Sequence, residues 1–168
     1  MVSPTQTVEM EIPNGPVNFN DAELGRCLKS RNSYFCTVIL VLGVVVQMKL
    51  KKTTSPMTHT IDAELKANFE GARNLIPIRK LFEYMGCPFN DPSPLYCDNR
   101  AVHSIIESER MTPRCRHLDI PITFLHQEKD QSYQLDLCRT LVIHADMGTK
   151  PHSPQLQKLF KYWASGAQ

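Results

Sequence analysis

Four acidic residues stand at the edges of apolar segments: Asp21 after Val-Asn-Phe-Asn, Glu64 within Ile-Asp-Ala-Glu-Leu-Lys-Ala, Asp98 in Leu-Tyr-Cys-Asp-Asn and Asp146 in His-Ala-Asp-Met-Gly-Thr-Lys-Pro. Taken singly, each has an ordinary use as a helix cap, a strand-end charge or a solvated surface group. Brought together by a fold, four carboxylates suit a pair of hard divalent cations, which prefer oxygen ligands and serve to cut or transfer phosphodiesters. That chemistry points to a nuclease.

The elements that would carry these acids are readable from periodicity. Val17–Phe19 is a short alternating stretch leading into Asp21, followed by a polar loop from Gly25 to Arg31. Ser33–Leu40 and Val44–Leu50 are rich in β-branched residues and are separated by Leu42-Gly43, the pattern of two strands joined by a tight turn. From Ile61 the period lengthens: Ile61, Leu65, Phe69, Ala72 and Ile76 mark an amphipathic helix with Thr60 as its expected N-cap and Glu64 in its first turn. Pro77 is expected to kink or end that helix, Ile78–Met85 to be helical again, and Gly86 to stop it. Prolines at 88, 92 and 94 lead into a buried strand, Leu95–Asp98, after which Asn99 caps a helix over Arg100–Glu109. Thr112-Pro113 reads as the start of a helical segment reaching Lys129 with an interruption at Pro121. Tyr133–Leu137 alternates as a strand, and Ala145 onward, with Leu156, Leu159, Phe160 and Trp163, reads as a terminal helix.

Composition narrows the class. A chain of 168 residues suits one domain, which buries roughly 70% of the surface its unfolded form exposes. With 19 Lys plus Arg against 17 Asp plus Glu, global charge drives no strong polyanion binding, and any nucleic-acid contact must come from local clustering. Six cysteines without a C-x-x-C pair favour free thiols in a reducing compartment, so the expected location is intracellular, cytoplasmic (particle-associated) or nuclear, and not secreted. The apolar run Val38–Val46 is broken by Gly43 and falls well short of the ~20 residues of a spanning helix, so no membrane partner is expected. Residues 1–16 carry three prolines and scattered polar residues, and are expected to form a poorly ordered linker before a domain over 17–168.

The local sequences around the acids carry a resemblance. Asn20-Asp21-Ala22-Glu23, Thr60-Ile61-Asp62-Ala63-Glu64-Leu65, Tyr96-Cys97-Asp98-Asn99, Arg116-His117-Leu118-Asp119-Ile120 and Ala145-Asp146-Met147-Gly148-Thr149-Lys150-Pro151 resemble, in order, the motifs of the RNase H domain of copia-type (Pseudoviridae-like) retrotransposon Pol polyproteins. The similarity spans roughly residues 17 to 160. The resemblance implies an α/β, RNase H-like fold: a mixed five-stranded sheet, an antiparallel meander of strands 1–3 followed by parallel strands 4–5, with flanking helices. It further implies endonucleolytic hydrolysis of the RNA strand of RNA–DNA hybrids with two Mg²⁺ (or Mn²⁺) held by Asp21, Glu64, Asp98 and Asp146. No small-molecule cofactor is implied, and the partners are the hybrid and the reverse transcriptase domain of a related element. Glu64 is preferred over Asp62 because Glu64-Leu65-Lys66-Ala67 matches the Glu-x-x-Ala helix start of such domains, leaving Asp62 as a charge favoured by the helix dipole.

Asn99, Arg100, Arg116, His117 and Lys150 are the candidate nucleic-acid contacts. Asn99 either touches an RNA 2′-hydroxyl or orients Asp98, and helix capping explains it equally well. Lys49, Lys51, Lys52, Arg110 and Arg114 are read evenly as phosphate contacts or as a solvated face. His144 is a loop histidine near Asp146, read as solvent-exposed. Cys115, His117, His126, Cys138 and His144 match no common zinc spacing. Two departures from the family stand out. Pro77 falls where the family has a helical Trp, and Pro121 where it has a basic helical residue. The alternative to an enzyme is therefore a catalytically inactive retroelement remnant, or a co-opted module that binds nucleic acid or protein.

Overall fold

The computed structural model describes residues 15–25, 27–54, 56–108, 117–138 and 145. Along these the order is β1 (Pro16–Glu23), β2 (Tyr34–Val41), β3 (Val44–Lys52), α1 (Thr60–Tyr84), β4 (Ser93–Cys97), α2 (Arg100–Glu107), α3 (Asp119–Glu128) and β5 (Tyr133–Leu137). The strands form one sheet in the order β3-β2-β1-β4-β5. β1 pairs antiparallel with β2, β2 antiparallel with β3, and β4 runs parallel to both β1 and β5. This is the mixed sheet that the resemblance implies. The Thr112-Pro113 helix start and the terminal helix lie outside the described residues.

Both faces of the sheet are used. On one face Ile39 and Leu95 pack with Leu65, Ala72 and Leu75 of α1 and with side chains of α2 and α3, among them Val102, Ile122 and Leu125. On the other, Val17, Phe19, Cys36, Val38 and Leu40 form a second apolar cluster that includes Ala145, and Phe19 stacks on Tyr96 at 5.0 Å between ring centroids. The β-branched runs of β2 serve both clusters, because successive side chains leave a strand on opposite faces.

Several local expectations need correction. Pro77 neither ends nor splits α1, which is a single helix of 25 residues. A proline removes one N–H and one i→i−4 bond, and that loss is offset here by anchoring beyond it: Arg79 donates to the carbonyls of Asp91 (2.8 Å) and Phe89 (2.9 Å) and to Ser93 Oγ (2.6 Å). Pro121 does not interrupt α3 but lies in its first turn, after the N-cap Leu118, where an N–H would have no helical acceptor. The N-cap of α1 is His59 without a side-chain cap, and Thr60 is the first helical residue. α2 ends at Glu107, two residues earlier than its periodicity suggests, with Ser108 as C-cap. The stop at Gly86 does follow the sequence. Its φ of 78° is left-handed, and the bonds Gly86 N→Glu83 O (3.0 Å) and Cys87 N→Phe82 O (2.9 Å) close α1 as a Schellman motif.

The packing of α1 on β1 is polar at its centre. Asn18 and Asn20, both fully buried, face the helix at Gly71, where Asn18 Nδ2 donates to the Gly71 carbonyl at 2.8 Å. A Cβ on Gly71 would stand 2.7 Å from Asn20 Cγ and 2.8 Å from its Nδ2, so glycine alone admits this approach without a shift of Asn20. That contact sets how closely the helix carrying Glu64 approaches the strand carrying Asp21.

Candidate metal centre

Three elements deliver one acid each to a common point. Asp21 lies near the end of β1, in register with Cys36 of β2; Glu64 is in the N-terminal part of α1; Asp98 is the first residue beyond β4. Parallel β1 and β4 end on the same side of the sheet, and α1 begins there after the β3–α1 connection. One carboxylate oxygen from each of Asp21, Glu64 and Asp98 falls within 4.8 Å of the other two. Among the described residues this is the only group of three or more acidic, His or Cys side chains that converges so closely. Asp21 and Glu64 are buried and Asp98 half-buried, so two of the acids are held by packing while the third keeps partial access to solvent.

Carboxylates this close repel one another in a low dielectric, and a bound cation relieves that repulsion. All the donors are hard oxygens, the set that Mg²⁺ and Mn²⁺ prefer over thiolate or imidazole sites. The residues therefore fit a divalent ion. The negative field is felt nearby as well. Burial pushes the Cys97 thiol up to about 12, and the carboxylates of Glu64, Asp98 and Asp136 add to it.

The other candidates distribute differently. Asp146, Arg116, Lys150 and His144 lie outside the described residues. Asp62 turns away from the centre: its Oδ2 accepts from Thr58 Oγ1 at 3.3 Å and lies 3.3 Å from His117 Nε2, so His117 is engaged with a first-turn acid of α1. Asn99 caps α2, its Oδ1 accepting from the N–H groups of Ala101 (3.0 Å) and Val102 (3.3 Å). Arg100 follows as the first, exposed residue of that helix. Of the zinc candidates, His126 Nε2 sits 3.4 Å from the Ile105 carbonyl, and His117, His126 and Cys138 join no converging ligand group among the described residues.

Sequence reasoning passed over Asp136. It sits on β5 beside Tyr96 of β4, and burial raises its carboxyl above the ordinary range, with His103 pulling it the other way. Its signal was weak, since an acid in an alternating strand reads as a solvent-facing position. Glu70 was also passed over, although its i, i+4 and i, i+3 spacing to Lys66 and Arg73 was visible.

No protein-family model matches the chain, and no curated protein matches its sequence. Solved structures do match. An RNase H1 isolated from compost by a metagenomic approach superposes with a TM-score of 0.61 at 12% identity, over 81% of this chain and 93% of that one. The same RNase H1 in complex with an RNA/DNA hybrid gives 0.57 at 10% identity, over 79% and 91%. RNase H1 from the halophilic archaeon Halobacterium salinarum gives 0.55 at 12% identity, over 80% and 92%. Identities this low speak for architecture alone. From the sheet order, its flanking helices and these superpositions, the chain has an RNase H-like fold.

Proposed function

We propose that this chain is a metal-dependent endonuclease that hydrolyses the RNA strand of RNA–DNA hybrids, derived from a copia-type retrotransposon. The observation that carries the reading is the convergence of Asp21, Glu64 and Asp98 to within 4.8 Å at the strand ends of an RNase H-like fold. Asp146, in the Ala-Asp-Met-Gly-Thr-Lys-Pro motif, is proposed as the fourth ligand of a two-ion Mg²⁺ (or Mn²⁺) site. Such ions, when bound, supply an activated water and offset the charge that builds on the scissile phosphate.

The chain's own residues bind and orient. Burial of Asp21 and Glu64 fixes two ligands in place, and the half-buried Asp98 is the one proposed to meet the substrate. Asn99, with its Oδ1 used in capping, has its amide N–H groups for a ribose 2′-hydroxyl, the group that separates RNA from DNA. Arg100, Arg116, His117 and Lys150 are proposed to contact phosphates, His117 by exchanging Asp62 for the backbone. The crystal structure of the compost RNase H1 with an RNA/DNA hybrid supports the choice of substrate. A reverse transcriptase domain of a related element is the proposed protein partner. The proposed location is intracellular; no helix among the described residues is long and apolar enough to cross a membrane.

The two prolines that set this chain apart do not weaken the reading, because α1 runs through Pro77 and α3 holds Pro121 in its first turn. The test is a titration of Mg²⁺ and Mn²⁺ into the protein, following thermal stability and cleavage of a labelled hybrid together. Metal-dependent cleavage that Asp98→Asn lowers by at least ~100-fold is expected. A folded protein that cleaves no hybrid at any metal concentration rejects the enzyme, and stabilisation by Mn²⁺ without cleavage would assign the co-opted binding module instead.

A further inference from the structure

Glu70 is a carboxylate only 8% exposed that three cations reach: Lys51 Nζ at 2.8 Å, Arg73 Nη1 at 3.4 Å and Lys66 Nζ at 3.8 Å. Beside it Lys49 Nζ donates to Asn74 Oδ1 at 2.6 Å. Lys66 and Arg73 also lie over the ring of Phe69, at 5.0 and 5.4 Å from its centroid, and Phe69 is itself held edge-on by Phe124 of α3. One carboxylate neutralises one cation. Four cations gathered around it therefore leave a net charge of about +3 on the outer face of α1 and the adjoining edge of β3.

The surplus is regional. Residues 44 to 82 hold seven Lys and Arg against three Asp and Glu, a balance of +4 in a chain whose total is +2. β3 has no acidic residue at all. The cations are also pre-positioned, because Glu70, Asn74 and Phe69 hold long side chains that would otherwise be disordered by their own rotamer freedom.

Position relates the patch to the acidic centre. Lys51 pairs across to Phe35, and Phe35 to Ala22, the neighbour of Asp21. The cations thus begin level with Asp21 and two strands away, about 10 Å across the sheet. The side chains of Ala22, Phe35 and Lys51 share the face that α1 covers, while Asp21 leaves β1 on the other, so a polyanion bound at the acids would reach the cations around the common end of β1 and β3.

We infer that the Lys49, Lys51, Lys66 and Arg73 cluster around Glu70 is a phosphate-backbone subsite that grips the nucleic acid flanking the carboxylate centre. The choice of nucleic acid among polyanions rests on the proposed nuclease reading, but the subsite and the cleavage are read by separate measurements. Glu70 acts as the organiser that spaces the cations. It also lowers the net charge of the subsite by one.

The experiment measures binding of a labelled RNA–DNA hybrid by fluorescence anisotropy across a salt series, in an Asp98→Asn background so that no strand is cut. Each phosphate contact contributes about 0.9 to the slope of log affinity against log salt. The triple change Lys51→Gln, Lys66→Gln, Arg73→Gln should make that slope shallower by about 2 to 3. Because the triple change leaves Glu70 buried without its partners and can unfold the protein, Glu70→Gln is the second arm. It keeps every cation, and should steepen the slope by about 1. A network that only clamps β3 to α1 would change the melting temperature in both variants and leave both slopes alone. Unchanged slopes, no binding to the hybrid at all, or residue-dependent binding confined to phosphatidylserine vesicles would each overturn the subsite. Loss of hybrid cleavage in otherwise wild-type protein would overturn the nuclease reading while leaving the slopes to judge the subsite.

Discussion

The least replaceable residue in the region behind the acids is a glycine. In an exposed helix Gly71→Ala would stabilise by roughly 1 kcal/mol through propensity alone. Here the new methyl would enter the volume of the fully buried Asn20 amide, which must shift to admit it. Overpacking of this kind costs about 1–3 kcal/mol, so Gly71→Ala is expected to lower stability in urea denaturation, and Asn20→Ala in the same chain to recover much of the loss. The pair should be non-additive, and Mn²⁺ affinity should fall with Gly71→Ala because α1 carries Glu64. Additive effects would show that the helix does not rest on Asn20. That Asp21, Glu64 and Asp98 converge was anticipated from residue type, while the preference for Glu64 over Asp62 came from the Glu-x-x-Ala start of the family the chain resembles. The match of Asn20 to Gly71 was not anticipated. It is a pairwise fit between residues far apart in the chain, and neither residue signals it alone.

The prolines show how the same residue has two costs at two places in an element. Pro77 is exposed in the interior of α1, where the Arg73 carbonyl would otherwise receive an N–H, whereas Pro121 occupies a first-turn position whose N–H has no acceptor. Pro77→Ala is accordingly expected to raise the unfolding free energy by about 1–3 kcal/mol, and Pro121→Ala to change it by less than about 1. Equal effects in thermal or chemical denaturation would contradict this account. The β2–β3 turn offers a third case. Leu42 and Gly43 both have positive φ, 51° and 77°, which makes a two-residue hairpin of the I′ kind, and Leu42 is 65% exposed there. A non-glycine residue in the left-handed region costs about 1–2 kcal/mol and Asn tolerates it best, so Leu42→Asn should stabilise by about 0.5–1 kcal/mol without touching the site. Sequence periodicity located nearly every one of these elements, and the five strands in particular. It missed the continuity of α1 because the Arg79 anchors that hold the helix beyond Pro77 are tertiary, reaching the loop before β4.

At the scale of the molecule, the antiparallel meander of β1 to β3 was legible from its strands and turn, the parallel β4 and β5 came from the resemblance, and the order β3-β2-β1-β4-β5 is set by the structure. The charge distribution was not legible in the same way, because 19 positive and 17 negative residues look balanced until the fold separates them. Two acids, the buried Glu70 and the half-buried Asp136, give stability a measurable pH dependence of opposite signs. For Glu70, burial acts to raise the carboxyl, but the hydrogen bond and charge of Lys51, then Arg73 and Lys66, outweigh it and hold the group below its ordinary 4.5. A depressed acid binds fewer protons folded than unfolded, so its stabilisation is fully present above about 4.5 and is lost as pH falls through the folded value. For Asp136, burial is the larger influence and raises the carboxyl above its ordinary 3.8, with His103 opposing. A raised acid binds more protons folded than unfolded, so it weakens the fold as pH climbs from 3.8 through the folded value and remains a liability at neutrality. Glu70→Gln should therefore lower the urea midpoint at pH 7 and flatten its decline below pH 4.5, while Asp136→Asn should raise the midpoint at pH 7 and leave it nearly unchanged at pH 3. A midpoint that rises at pH 7 with Glu70→Gln would mean that the cations around Glu70 do not offset its burial. The β3 and α1 surface would then lack the organised charge on which the phosphate subsite depends.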